Sequence, residues 1–218
     1  MARVALVDLD RTTGEILRDC FKQFSIEAVP LAGEQAERLR KEKFEGAVLT
    51  LDSNAGVILE MARTSASNSR IVIFGIAGSI QEAMRFSKYG INAVIDKPVE
   101  RQAALRVIRG THLLVLNELR RYVRVPMVTA VNIETSSGKV MATTCEVSAG
   151  GMSLRTRGKL ALMQEVEVGF DLPEALDLKV RATVCWVRPA EEMIGIRFDR
   201  MDEQRQRVRE WIDYYLGL

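Results

Sequence analysis

Residues 165–170 read Glu-Val-Glu-Val-Gly-Phe, residues 179–186 read Lys-Val-Arg-Ala-Thr-Val-Cys-Trp, and residues 194–199 read Ile-Gly-Ile-Arg-Phe-Asp. Apolar side chains recur at every second position: Val166, Val168 and Phe170; Val180, Ala182, Val184 and Trp186; Ile194, Ile196 and Phe198. Successive side chains of a strand point to opposite faces. A period of two with one apolar face therefore predicts antiparallel strands that cover a core on one side. The pattern begins near Met127. It is followed by a helix that places Val208, Trp211, Ile212 and Tyr215 on one face, suited to covering a small antiparallel β-barrel.

Upstream the period changes. Val4–Val7, Ala28–Pro30, Ala47–Leu51, Ile71–Phe74 and Ala93–Ile95 are short apolar runs without alternation, as expected of parallel strands buried on both faces. Amphipathic stretches separate them. One presents Ile16, Leu17, Cys20, Phe21 and Phe24 on a single face. Another opens with Ser79 and Glu82 as a capping box and turns Ile80, Ala83, Met84 and Ser87 inward. Strands alternating with helices predict a doubly wound parallel α/β sheet. The two periods mark two domains, 1–116 and 117–218. From Val99 to about Arg121 runs a helical stretch with an apolar stripe of Leu105, Ile108, His112, Val115, Leu116 and Leu119. It reads either as an extended last helix or as a surface that packs on a second copy or on the barrel.

Composition narrows the function. The chain has 218 residues, 47% hydrophobic and 28% charged, and Lys plus Arg (31) nearly balance Asp plus Glu (29). A net charge of +2 gives no global attraction to DNA or to an anionic membrane, so any anion site must be a local cluster. No apolar run is long enough to cross a bilayer, and the first residues enter a strand-like segment without a signal-peptide pattern, so a cytoplasmic protein is expected. Cys20, Cys145 and Cys185 lack CxxC spacing and read as buried thiols. His112 is the only histidine. It cannot build a metal site by itself, and no Ser-His or Cys-His set or phosphate-binding Gly-rich loop is present. The expectation is no enzyme, no metal and no cofactor. The terminal helix ends Trp-Ile-Asp-Tyr-Tyr-Leu (211–216), too apolar and acidic for a recognition helix, so direct DNA binding is not expected.

The first domain resembles the receiver domain of bacterial response regulators. Such a domain uses acids after strand one to hold Mg²⁺, an aspartate ending strand three as phosphoryl acceptor, a Ser or Thr after strand four, and a Lys at strand five. The metal and the Lys neutralise charge on the phosphoryl oxygens. Val-Asp-Leu-Asp (7–10) matches the acidic motif in part, and Lys97-Pro98 matches the last one. Thr50 stands at the acceptor position, Gly75 at the Ser/Thr position, and Asp52 lies past the strand end. The resemblance implies a receiver scaffold without phosphotransfer, serving as a dimerisation or docking platform.

Two local patterns in the second half carry chemistry. Arg-Arg-Tyr-Val-Arg (120–124) puts three arginines where helix gives way to strand, and guanidinium groups pair in two-pronged fashion with phosphate and stack on purines. Glu-Val-Ser-Ala-Gly-Gly (146–151) closes a strand with a hydroxyl and glycines, where a ligand can approach bare backbone. Gly-Met-Ser-Leu-Arg (151–155), Val-Cys-Trp-Val (184–187) and Ile-Gly-Ile-Arg-Phe (194–198) follow in order. The series resembles the PilZ domain family, with its RxxxR, (D/N)xSxxG, Trp-bearing strand and Gly-x-x-Phe strand. The resemblance implies a six-stranded barrel with a helix that binds cyclic di-GMP. Arg120 and Arg124 would grip phosphates and guanine edges, Arg121 would add charge or stack, and Ser148 and Gly151 would line the guanine end. Glu146, at the family's Asp or Asn position, would accept from guanine N1–H and N2–H, but it is one methylene longer, which alters its reach and raises the entropy lost on fixing it. The expected role is a cyclic-di-GMP-binding signalling effector in which nucleotide orders the Arg120–Arg124 hinge and changes domain or partner geometry. The alternative is a ligand-free adaptor. Further expected partners are a protein of unknown identity and a second copy, joined through the receiver-like domain or helix 99–121.

Overall fold

The five apolar runs of the first half form five parallel strands, and the alternating runs of the second half form a closed antiparallel sheet. The computed structural model describes residues 1–173 and 175–217. It separates into two units, Met1–Leu119 and Arg120–Leu218.

In the first unit β1 (Ala2–Val7), α1 (Arg11–Lys22), β2 (Ile26–Leu31), α2 (Arg38–Lys41), β3 (Gly46–Thr50), α3 (Ala55–Thr64), β4 (Val72–Ala77), α4 (Ile80–Met84), β5 (Ala93–Asp96) and α5 (Arg101–Tyr122) follow one another. The strands lie in the order β2-β1-β3-β4-β5, and all four neighbouring pairs are parallel. This is the doubly wound arrangement of a receiver domain. Val48, Ile73 and Phe74 are fully buried, and the rings of Phe21 and Phe74 meet edge to face at 5.5 Å. Asn68, also fully buried, stitches a loop to the core. Its amide donates to the carbonyls of Leu39 (2.6 Å) and Glu42 (2.7 Å) and accepts from the backbone N–H of Phe44 (3.0 Å).

Three expectations are corrected here. Phe24 lies beyond the end of α1 and stacks on the half-buried His112 ring at 4.6 Å. Ile80 and Met84, expected inside, are 72% and 66% exposed. The helix α4 has five residues, too few for a full inward stripe, and of those four residues Ala83 is the one that is buried. Gly75 sits within β4 against the Leu51 side chain rather than at the strand end. The register Thr50↔Ile76 instead brings Ile76 and Ala77, which have no hydroxyl, beside the acceptor position.

Thr50, Asp52, Glu82, Arg85 and Lys97 line a cleft of about 360 Å³ at that strand end. Its two acids serve local turns: Asp52 accepts from the N–H of Asn54 (2.9 Å) and Glu82 from that of Gly78 (2.8 Å). Asp10 is occupied as the cap of α1, accepting from the N–H of Thr13 at 2.9 Å. Among the described residues no group of three or more His, Cys, Asp or Glu could hold a metal ion. A threonine hydroxyl yields a phosphate ester and not the acyl phosphate a receiver turns over. Incubation with acetyl phosphate and Mg²⁺ should therefore leave the intact mass unchanged. A phosphoryl adduct that disappears in Asp52→Asn would contradict this.

The second unit contains β6 (Val125–Pro126), β7 (Ala130–Thr135), β8 (Gly138–Ser148), β9 (Gly151–Arg155), β10 (Glu165–Leu172), β11 (Ala175–Arg188), β12 (Met193–Phe198) and α6 (Gln204–Leu216). The order β6-β8-β7-β10-β11-β12-β9, with β9 returning to β8, closes six strands into a barrel and leaves β6 as a short addition on β8. Closure removes the exposed edges of an open sheet. Val168, Val180 and Val184 are fully buried, and Phe170 stacks on Phe198 at 6.1 Å. From α6, Val208, Trp211 and Ile212 enter the same core. Tyr215 does not. It is 59% exposed and rests on the Trp211 ring at 5.9 Å.

Strict alternation fails at two bulges. Pairing shifts between Val184 and Trp186 in β11 and between Thr144 and Glu146 in β8. The extra residues are Cys185 and Cys145, which are half-buried; of the three thiols expected inside, Cys20 is the one that is. A bulge leaves one residue unpaired and reverses the face of those that follow. Val187 consequently packs on the core, while Trp186 turns outward across Gly195.

Candidate anion-binding site

The arginines of residues 120–124 fall on the last turn of α5 and on the two-residue link to β6. Arg120 and Arg121 are helical, so the non-helical hinge is narrower than the sequence suggests, Val123 and Arg124 alone. Immediately afterwards Val125 and Pro126 pair with Val147 and Glu146 of β8. This short pairing brings the arginine segment against the Glu146–Gly151 segment, so both sequence patterns meet at one corner of the barrel.

The two motif arginines are held differently. The Arg120 guanidinium donates from Nε and Nη2 to the two carboxylate oxygens of Asp213 on α6, at 2.5 and 3.0 Å, and its side chain is 11% exposed. A two-pronged pair with little water around it is strong and geometrically exact in orientation. Arg124 donates from Nη1 to Oε1 of Glu146 at 2.9 Å, with the side chains 53% and 36% exposed. A one-pronged pair in water contributes about 0–1 kcal/mol. Arg121 is exposed beside them.

Ser148 and Gly151 hold the turn between β8 and β9. The Ser148 hydroxyl donates to the Gly151 carbonyl (2.9 Å), and Gly151 pairs with Arg197 of β12. A Cβ on Gly151 would overlap the Ile196 carbonyl oxygen, so this position requires glycine for close backbone approach. The turn is also tied to α6, because Arg205 Nε donates to the Ala149 carbonyl at 3.0 Å.

Several residues of this surface escape a reading of motifs. The register runs Pro126↔Glu146↔Ser153↔Gly195↔Trp186, one row of cross-strand partners across β6, β8, β9, β12 and β11. Trp186 covers the bare backbone of Gly195, and the Arg188 guanidinium lies 5.1 Å from the centre of its ring. The parity that aligns them comes from the two bulges, which alternation does not announce. Asp213 likewise gave no signal, being one of two acids on an amphipathic helix. A cavity of about 750 Å³ lies elsewhere on the barrel, between Glu134, Glu165 and Glu167 on one side and Arg181 and Arg197 on the other. Arg181 is already bridged to Asp199 and Asp202, each at 3.4 Å, so that cleft is largely self-neutralised.

The second unit has a counterpart among known families: the PilZ domain family matches residues 118–214. The chain carries a PilZ domain. Among solved structures, the PilZ domain of CeSA from a cellulose-synthesizing bacterium is 17% identical, with TM-score 0.36, covering 44% of this chain and 99% of that one. The unit preceding the PilZ domain is similar to the chemotaxis response regulator CheY4 of Vibrio cholerae (14% identity, TM-score 0.46, covering 50% of this chain and 98% of that one). It is also similar to a CheY-like receiver domain protein of Methanospirillum hungatei JF-1 (19% identity, TM-score 0.45, covering 56% and 98%). No curated protein matches the chain. No helix among the described residues is long and apolar enough to cross a membrane.

Proposed function

We propose that the PilZ domain is a receptor for cyclic di-GMP and that the chain is a non-catalytic signalling effector or adaptor. The observation that carries this reading is the pairing of β6 with β8, which sets Arg124, at the end of the arginine-rich segment 120–124, against Glu146 of the Glu146–Gly151 segment. Cyclic di-GMP presents two phosphodiesters and two guanines. Arg124 and Arg121 meet the phosphates first, because Arg124 is held by one exposed contact and Arg121 is exposed. Arg120 reaches ligand by trading its fork on Asp213 for a phosphate or a guanine edge. Ser148, whose buried hydroxyl is tied to the Gly151 carbonyl, and Gly151 shape the turn at the guanine end, and the Trp186 ring lies three strands from Glu146 along the row of Glu146.

Signal output follows from the same geometry. Ligand that draws Arg124 away from Glu146 repositions the Val123–Arg124 link, and with it the course of α5 toward the receiver-like half or a partner. An anion that reorders a short basic segment is an established form of switch. The receiver-like half acts as a phosphorylation-independent platform.

Isothermal titration of the full chain with cyclic di-GMP tests the reading. Saturable binding is expected, and Arg120→Ala with Arg124→Ala should weaken it by at least a hundredfold, as loss of two charge-assisted contacts of about 1.5–3 kcal/mol each requires. Absence of heat up to millimolar nucleotide, or binding indifferent to the double substitution, would overturn it. A second reading, a ligand-free interaction adaptor, is favoured by one observation: both motif arginines already have carboxylate partners within the domain.

A further inference from the structure

Glu146 and Arg124 are twenty-two residues apart in sequence, and their ion pair exists because β6 pairs with β8. Pro126 is the partner of Glu146 in that register. Arg124, two residues earlier, is thus a diagonal neighbour, a separation that two long side chains span. The pair places a carboxylate oxygen 2.9 Å from an arginine nitrogen, where a phosphate oxygen would otherwise sit. Carboxylate and phosphate compete for the same planar donor edge.

We infer that Glu146 is a built-in competitor of the nucleotide: it occupies Arg124 in the ligand-free protein and so sets the concentration at which the site responds. This rests on the cyclic-di-GMP reading above. Asp213 cannot play this part as easily, because its hold on Arg120 is two-pronged and mostly shielded from water, whereas the Glu146 contact is single and exposed. A weak internal ligand shifts the apparent affinity by the fraction of time it occupies the arginine, without abolishing binding. Glu146 is thereby a threshold-setting residue. Its effect is electrostatic and fades with salt, as expected for an exposed pair.

Glu146→Gln is the test, because it keeps the length and shape of the side chain and removes the charge. Its thermal midpoint should stay at the wild-type value. Titration at low salt should show cyclic di-GMP binding about threefold to fivefold tighter than wild type, the range an exposed pair allows. The gain should vanish at high salt and in the Arg124→Ala background. Equal or weaker binding by Glu146→Gln, with wild type binding, overturns the competitor and leaves the receptor reading intact, since Glu146 would then contact the guanine itself. Silence of wild type and variant alike removes the receptor reading and the competitor with it.

Discussion

Gly151→Ala should lower the stability of the barrel by about 3 kcal/mol or more, the range of severe overpacking against a part that cannot move aside. The new methyl group would overlap the Ile196 carbonyl oxygen, and this is backbone of the neighbouring strand rather than the tip of a flexible side chain. To relieve the overlap, β9 and β12 must separate at Arg197↔Gly151, the last pair of their ladder. The same strain reaches the Ser148 hydroxyl, whose acceptor is the Gly151 carbonyl. Both tryptophans of the chain, Trp186 and Trp211, belong to the second unit. Denaturant unfolding of the full chain followed by tryptophan fluorescence therefore reports on the barrel specifically. A midpoint equal to that of wild type would show that the strands yield at no cost and that glycine here is not required by packing.

Asp213→Ala is the second large effect expected. It deprives a guanidinium that is 11% exposed of its two-pronged partner, and removing one member of a shielded pair costs more than the pair contributes. A loss of about 1–3 kcal/mol follows, read by the same fluorescence transition. Arg120→Ala should cost a similar amount. The double substitution should cost clearly less than the sum, with a coupling of about 1–2 kcal/mol as residues in contact show. Additive effects would mean that Arg120 and Asp213 do not depend on each other. The outcome also bears on signalling, because Asp213 makes α6 part of the arginine corner. Under the proposed receptor reading, nucleotide that draws Arg120 away would loosen the anchoring of this helix on the barrel.

Much of the architecture was legible beforehand because burial imposes a period on the sequence. Val166, Val168 and Phe170 alternate since one face of β10 meets the core, and all three are buried. Val48 and Leu49 follow one another without alternation since β3 is covered on both faces, and both are buried. The extent of the inward stripes was less legible. Ile80 and Met84 have the spacing of a core helix, but α4 ends before a second turn can pack. The cysteines misled for a related reason: Cys145 and Cys185 look like strand interior, yet each is the extra residue of a bulge.

For the candidate site the division is sharper. The order of motifs, through the PilZ resemblance, made Arg120, Arg121, Arg124, Glu146, Ser148 and Gly151 the candidates, because phosphate and guanine recognition needs particular donors. The partners of these residues were another matter. That Arg120 forks on Asp213, that Arg124 leans on Glu146, and that Trp186 joins the row of Glu146 depend on register, bulges and the docking of α6. Side-chain chemistry and periodicity are properties of the local chain, and they determined the two strand types, parallel then antiparallel, and the clustering of arginines at residues 120–124. Pairing across ninety-three residues, as between Arg120 and Asp213, is a property of closure, and only the folded barrel decided it.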